Sequence, residues 1–231
     1  MKKIIGLCVL ALIVLVSDVN AQKREVRVGD FSEVSFGIPG RLYLSQGKTN
    51  SVEIDCSDDA YDRIEIEERG DKLVIRNRDR GWNWRGWRGD KIDVYITMKD
   101  IEGITVSGSG NVVGENVFRT DDLYLSVSGS GDMDLEADAK DLEMRVSGSG
   151  SISMAGSGEE LEVKISGSGR VKAEDLEVRS LDASISGSGS IYITAEEEIY
   201  ARISGSGSVY YKGDPDRVQS NSSGSGKIRR L

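Results

Sequence analysis

Residues 142–154 read Leu-Glu-Met-Arg-Val-Ser-Gly-Ser-Gly-Ser-Ile-Ser-Met, and this stretch decides the fold. From Leu142 to Met154 every second residue is apolar or glycine, and the residues between them are charged or serine. Such alternation indicates an extended chain with one buried face, because the side chains of a strand point alternately to its two sides. A helix is excluded, since its 3.6-residue period would place Leu142 and Met144 on different faces.

The tetrapeptide Ser-Gly-Ser-Gly inside that stretch occurs seven times in the chain. Successive copies begin 21, 19, 19, 20, 18 and 19 residues apart, at Ser107, Ser128, Ser147, Ser166, Ser186, Ser204 and Ser223. A period near 19 predicts a solenoid, in which each unit buries its apolar face only against its neighbours. We therefore predict an all-β fold, a right-handed parallel β-helix with about 19 residues per coil.

The aligned units also predict which way each residue of the tetrapeptide points. The residue before it is Val or Ile in six units, and the second residue after it is apolar in all seven. In this register the paired glycines face the interior at a sharp corner, where the missing Cβ lets the chain pass close to the axis or bend through a positive φ. The serines then form two outward columns, which include Ser128, Ser130, Ser147, Ser149, Ser166, Ser168, Ser186 and Ser188.

Two interpretations of these serine columns stay open. The repeated hydroxyls would make a binding surface along the rod. Alternatively, a tight corner beside glycine favours small residues that hydrogen-bond locally to the backbone. The second interpretation predicts that Gly148→Val destabilises the fold far more than Ser149→Ala changes binding.

The chain divides into three parts by composition. Residues 1–21 resemble a secretory signal peptide, with a lysine pair, an apolar run and a small-residue cleavage site. The apolar run of this signal is too short to span a bilayer. Once the signal is cleaved, the mature chain is predicted to have no integral membrane segment. A β-rich cap with irregular first coils is expected over residues 22–100, with residues 36–40 as a degenerate first corner. Regular coils and a polar C-terminal cap follow over residues 101–231.

The composition argues against several classes of function. The formal net charge of −9 argues against nucleic acid as a partner. The chain has no histidine, which removes the commonest general base and most zinc sites. The glycine-rich units are not followed by a strand-to-helix transition, so they do not form a nucleotide-binding fingerprint. We predict no enzymatic activity, no cofactor and no metal.

A tryptophan-rich segment is the first candidate binding site, because all three tryptophans of the chain fall within six residues. Exposed indoles beside arginines would offer stacking faces and bidentate donors to sugar rings or acidic polymers. Alternatively, the aromatic rings pack over the end of the solenoid and the arginines are solvated. The candidate residues are Trp82, Trp84, Arg85, Trp87 and Arg88.

Two further pairs of residues are candidates on the strands that follow the corner. Tyr192 and Tyr210 fall in one outward column on adjacent coils, either as a glycan-stacking stripe or as a cross-strand pair that stabilises the sheet. Asp132 and Asp134 lie about 7 Å apart on one strand, a separation that an inverting glycosidase could use. The simpler interpretation is two solvated carboxylates, since nothing in the sequence implies the burial that a general acid needs.

The repeated Val-Ser-Gly-Ser-Gly units, together with Tyr-Tyr-Lys-Gly-Asp-Pro over residues 210–215, resemble the putative auto-transporter adhesin, head GIN domain family. The resemblance extends from about Val28 to Ile228. It implies a right-handed β-helix similar to pectin-lyase-like folds without their catalytic residues, found in exported proteins of Bacteroidetes-type bacteria. It also implies a role in adhesion. The tryptophan-rich segment is not part of the family pattern.

These observations together favour a non-enzymatic adhesin-like protein. Export to the periplasm, the outer cell surface or the medium is expected. Glycans or cell-surface proteins are the expected partners. The alternatives are a polysaccharide-processing enzyme and a structural envelope scaffold that self-associates as a homo-oligomer.

Overall fold

The computed structural model describes residues 22–79, 89 and 91–231. Most of these residues lie in strands, as the alternation predicts. The strands are β1 Gln22–Val26, β2 Glu33–Gly37, β3 Arg41–Gln46, β4 Ser51–Cys56, β5 Ile64–Arg69, β6 Lys72–Asn77, β7 Asp93–Met98, β8 Gly103–Gly108, β9 Asn111–Gly114, β10 Phe118–Gly129, β11 Asp132–Gly148, β12 Ser151–Gly167, β13 Arg170–Gly187, β14 Ser190–Gly205, β15 Ser208–Lys212, β16 Arg217–Gly224 and β17 Lys227–Arg230. A one-turn helix, α1 Asp58–Tyr61, is capped by Ser57, whose side chain accepts a hydrogen bond from the Ala60 N–H.

The strands wind as a parallel β-solenoid of about seven turns with about 19 residues per turn, which confirms the predicted fold class. Each regular coil contributes to two walls. Wall I consists of the strand segments that end in the tetrapeptide, and wall II consists of the segments that follow it. Successive coils pair in parallel and in register, so that Val146 of β11 lies between Val127 of β10 and Ile165 of β12.

The core is a set of ladders formed by equivalent residues of successive coils. The residue before the tetrapeptide forms the clearest ladder, and each member is at most 3% exposed: Val106, Val127, Val146, Ile165, Ile185 and Ile203. Burying one such side chain stabilises the fold by about 1.5–3 kcal/mol. Because each residue packs against its equivalents above and below, the sequence repeat itself builds the core.

The order of coils along the rod differs from their order in the chain at the N-terminal end. Strand β2 pairs in parallel with both β6 and β8, and β3 pairs with both β7 and β9. The first coil of the chain is therefore inserted between two coils that follow it in sequence. In this coil, Phe36 occupies the ladder position that Val106 occupies in the neighbouring coil. This confirms the degenerate first corner expected over residues 36–40.

Antiparallel strands extend the two walls beyond this inserted coil. On wall II, β4 pairs antiparallel with β7, and β1 pairs antiparallel with β4. On wall I, β5 and β6 form an antiparallel hairpin. Both walls continue across residue 100 through β2–β8 and β3–β9, and the boundary expected there between cap and regular coils stays a prediction.

The corner formed by the tetrapeptide differs from the prediction, because its two glycines have different roles. The second glycine is buried and faces the interior in the first six units, as predicted, and Gly226 of the last unit is partly exposed. The first glycine is at most partly buried and turns the chain through a positive φ, which is 118° at Gly148. A Cβ on Gly148 would lie 2.5 Å from the Gly129 carbonyl oxygen of the preceding coil. That oxygen accepts a hydrogen bond of 2.9 Å from the Ser149 N–H, so the corner is held by a backbone ladder.

Candidate functional site

The serine columns run along this corner, and their positions match the prediction. All fourteen tetrapeptide serines are exposed. Within the described part of the chain, their hydroxyl groups form no hydrogen bond, so local bonding of these hydroxyls to the backbone is not what the corner uses. The columns are therefore a row of unengaged hydroxyl groups along one edge of the rod.

The tryptophan-rich candidate site lies outside the described residues. This applies to Trp82, Trp84, Arg85, Trp87 and Arg88. Binding by this segment stays a prediction.

Tyr192 and Tyr210 lie on the outer side of wall II, on β14 and β15, as the alternation predicts. Ile191 and Val209, one residue earlier, are fully buried, which fixes the outward direction of the two tyrosines. The two rings stack with centroids 4.8 Å apart and an interplanar angle of 14°. Each ring therefore covers one face of the other, which is the geometry of a stabilising cross-strand pair. Only the outer ring faces remain for a stacking ligand, beside the ring edges.

Five cationic side chains surround this tyrosine pair on the same outer side of wall II. Lys172 precedes Tyr192 in its column, and Arg229 follows Tyr210. A second column has Arg170 and Lys227 at its ends, with Ser190 and Ser208 between them. Thr194 pairs with the fifth cation, Lys212, in a third column. We call the set Arg170, Lys172, Lys212, Lys227 and Arg229 the basic patch.

The cations of the basic patch differ from most others in the protein because they have no partner. Among the described residues, seven lysines and arginines make neither an ion pair nor a hydrogen bond with their side chains: Arg27, Lys48, Arg170, Lys172, Lys212, Lys227 and Arg229. Five of these seven form the basic patch. The nearby Asp214 is engaged elsewhere, since it pairs with Arg230 at 3.1 Å. Glu174 lies at the edge of the patch, where the register between β13 and β14 shifts.

A second tyrosine pair, at the N-terminal end of wall II, is surrounded by cations that do have partners. Tyr43 and Tyr95 stack with centroids 5.0 Å apart. Arg41 donates a hydrogen bond of 3.0 Å to the Tyr43 hydroxyl, and Lys23 lies 4.4 Å from the centre of the Tyr95 ring. Lys23 also pairs with Glu53 at 3.5 Å. Among the described residues, stacked tyrosines thus occur at both ends of wall II, but only the C-terminal pair is surrounded by cations without partners.

The charge of wall II changes sign along the rod. On β11 the outward residues are Asp132, Asp134 and Glu136, and all three are exposed. The Asp132 carboxylate accepts a hydrogen bond of 2.6 Å from the Ser151 hydroxyl of the next coil. These exposed carboxylates are solvated, and no observation assigns them a catalytic role. The uncharged outward residues of β12 separate them from the basic patch.

Wall I carries a groove of about 500 Å3 whose lining is mainly acidic. Its carboxylates are Glu102, Asp122, Asp141, Glu143, Glu160, Glu162 and Asp182. Cations of the same wall pair with several of them, as Lys164 does with Glu162 at 2.6 Å and Arg145 with Glu143 at 2.5 Å. The hydrogen bond from Lys164 lowers the pKa of Glu162, and the same bond raises the pKa of Lys164. Cations of the wall thus pair with three of these carboxylates, those of Glu143, Glu162 and Asp182, and the groove keeps an excess of negative charge.

The described part of the chain contains neither a cluster of metal ligands nor a membrane-spanning helix. In residues 22–79 and 91–231, no three histidine, cysteine or acidic side chains converge in a way that could hold a metal ion. The described helix is too short to cross a membrane, and no other described segment forms a long apolar helix.

Comparison with known families agrees with this architecture. The model of the family described as putative auto-transporter adhesin, head GIN domain, matches residues 30–215. The chain belongs to this family. The resemblance inferred from the tetrapeptide repeat is thereby confirmed. No curated protein matches the chain.

Solved structures share the fold of this family member over nearly its whole length. A putative adhesin from Bacteroides fragilis is 26% identical, has a TM-score of 0.84, and the match covers 91% of this chain and 96% of that one. A putative adhesin from Parabacteroides merdae is 23% identical with a TM-score of 0.70, covering 93% and 97%. A putative lipid binding protein from Parabacteroides distasonis is 21% identical with a TM-score of 0.74, covering 93% and 98%.

The sequence reasoning found the tyrosine pair of this family member but missed the basic patch around it. The signal was present in the repeat, because aligned coils place Lys172, Tyr192, Tyr210 and Arg229 in one column. The neighbouring column contains Arg170 and Lys227. The alignment does not show that these cations lack ion-pair partners, because ion pairing depends on side-chain positions in adjacent coils.

Proposed function

We propose that the protein is an exported, non-enzymatic adhesin that binds a surface ligand, a glycan or a cell-surface protein, through the C-terminal part of wall II. Membership of the adhesin family and the signal-like residues 1–21 support export and adhesion. The observation that carries the choice of wall is the basic patch, since a rigid sheet holds five cations without partners around a fixed aromatic pair. A preorganised site of this kind loses little conformational entropy on binding.

The proposal is tested on an array of glycans and surface proteins probed with the purified protein. We expect at least one ligand to bind the wild type. A Tyr192→Ala/Tyr210→Ala variant should lose that signal, whereas a Trp82→Ala/Trp84→Ala/Trp87→Ala variant should retain it. Retention by the tyrosine variant and loss by the tryptophan variant would move the site to the tryptophan-rich segment. No ligand for the wild type would contradict the proposed function.

A further inference from the structure

We infer that the basic patch binds a linear anionic glycan whose acidic groups are spaced along the sugar chain. The inference rests on the proposed function and names the class of ligand at the same site. The ligand is identified by three features of the patch: its charge, the spacing of its cations and the hydroxyl groups between them.

The charge of the patch is opposite to that of the molecule. The chain has a formal net charge of −9, yet the outer side of wall II over β13–β17 presents five cations without partners. Elsewhere in the described residues, most lysines and arginines form ion pairs with neighbouring carboxylates, as Lys140 does with Asp121 at 2.6 Å. Unpaired cations gathered on one face attract anions and raise the local concentration of an anionic ligand.

The spacing of the cations indicates a ligand with more than one acidic group. Arg170 and Lys172 lie on β13, and Lys227 and Arg229 lie on β17, three strand spacings or about 14 Å further along the rod. A single small anion cannot contact both ends over that distance. A chain molecule that follows the rod axis contacts both.

The residues between the two cationic ends carry hydroxyl groups. Ser190, Ser208, Tyr192 and Tyr210 occupy the two central strands of the patch, and all four are partly exposed. A hydroxyl group both donates and accepts hydrogen bonds, which matches the hydroxyl groups of sugar rings. The sequence of cation, hydroxyl and cation along the rod therefore fits acidic sugars separated by neutral ones.

Two observations argue against nucleic acid as the occupant. The facing surfaces of Tyr192 and Tyr210 cover each other, so the pair is a poor platform for successive stacked bases. The same wall becomes acidic at Asp132 and Asp134, so a longer, uniformly charged polyanion would meet repulsion beyond the patch. A short glycan with few charges needs no stacking platform for bases and does not extend onto the acidic part of the wall.

The test measures binding of the purified protein to hyaluronan oligomers of graded length, in which glucuronate alternates with a neutral sugar, by isothermal titration calorimetry. Two charge-reversal variants are matched in net charge. Lys172→Glu/Arg229→Glu changes both ends of the patch, and Arg27→Glu/Lys48→Glu changes the two other unpaired cations, which lie near the N-terminal strands. Neutral dextran, inorganic polyphosphate and anionic phospholipid vesicles are the comparison probes.

We expect the oligomers to bind with an affinity that rises with length until both ends of the patch are contacted. Glucuronate itself should not compete. Lys172→Glu/Arg229→Glu should weaken binding by about tenfold or more, while Arg27→Glu/Lys48→Glu leaves it unchanged. Tyr192→Phe/Tyr210→Phe keeps the stacked rings and removes their hydroxyl groups, so it should weaken binding several-fold without unfolding the wall.

Different results separate the ligand class from adhesion itself. Equal weakening by both charge-reversal variants would show a nonspecific charge effect and overturn the assigned site. Tighter binding to polyphosphate or to vesicles than to the oligomers would overturn the glycan class. If the oligomers do not bind but the surface array yields another ligand, the anionic glycan is wrong and adhesion stands. If neither experiment yields a ligand, the proposed function fails as well.

Discussion

The corner of each coil and the outer side of wall II, a few residues further on, show opposite relations between sequence and structure. At the corner, seven coils repeat the same four residues. On wall II, the outward residues change from Asp132 and Asp134 on β11 to Arg170 and Lys172 on β13. The backbone pairs in parallel at both places, so pairing alone does not explain the difference.

Steric crowding explains why the corner sequence is repeated and the outward sequence of wall II is not. At every tetrapeptide corner except that of Gly108, the first glycine lies against the backbone of the corresponding glycine in the coil before, and no side chain fits between them. On wall II the outward positions face solvent, where almost any residue is compatible with a strand. The repeat therefore marks where the fold is constrained, and the candidate binding site lies where the repeat is broken.

Gly148→Val breaks the corner most directly and should have the largest effect. Gly108→Val is the matched control, because Gly108 also has a positive φ, of 92°, but nothing lies within 4 Å of its added Cβ. Both variants suffer backbone strain of about 1–3 kcal/mol. Only Gly148→Val adds a clash with the Gly129 carbonyl oxygen, so it should lose at least about 2 kcal/mol more than Gly108→Val.

Urea unfolding of both variants measures this difference in the free energy of unfolding. Equal losses would show that positive φ alone selects glycine at the corner. In that case the stacking of coils at the tetrapeptide would not be the constraint that maintains the repeat.

Tyr210→Ala tests the one aromatic packing interaction found in the patch on wall II. The variant loses the Tyr210 ring that stacks on Tyr192, together with its buried surface, so the free energy of unfolding should fall by about 1–2 kcal/mol. Tyr210→Phe keeps the rings and should stay within about 0.5 kcal/mol of the wild type. A loss for Tyr210→Ala as large as for Gly148→Val would contradict the contrast between corner and wall.

The sequence predicted the repeating coil well because alternation and period are local properties of the chain. The ladder from Val106 to Ile203, the corner and the place of Phe36 all follow from the alignment of the units. The insertion of β2 and β3 between later strands does not follow from it. Alternation shows which side of a strand is buried, but it does not show which strands are its neighbours. The different roles of the two corner glycines depend on backbone angles that a shared residue type does not encode.

Ion pairs on wall I should contribute much less to stability than the glycines of the corner. The pKa of Glu162 is lowered by its hydrogen bond to Lys164, so the pair stabilises the fold near neutral pH and this contribution is lost as the pH falls through the lowered pKa. Both side chains are 44% exposed, so solvent screens the ion pair and its contribution to stability should be small. Lys164→Met should raise the pKa of Glu162 towards its ordinary value, as measured by NMR titration.

Lys140→Met is the control for this titration, because Lys140 pairs with Asp121 on a neighbouring part of the coil. It should leave the pKa of Glu162 in place. An equal shift in both variants would show that the titration reports the overall charge of the groove rather than the bond to Lys164.

Ser149→Ala should have the smallest effect on stability, because the residue belongs to the repeat but its side chain is not constrained. Its N–H group holds the corner together, and alanine keeps that group. Its exposed hydroxyl makes no hydrogen bond within the described chain, so the free energy of unfolding should change by less than about 0.5 kcal/mol. A larger loss would show that the hydroxyl column stabilises the corner. A change in ligand binding at unchanged stability would instead make the serine columns a second binding surface, and the rule that function lies where the repeat is broken would then be wrong.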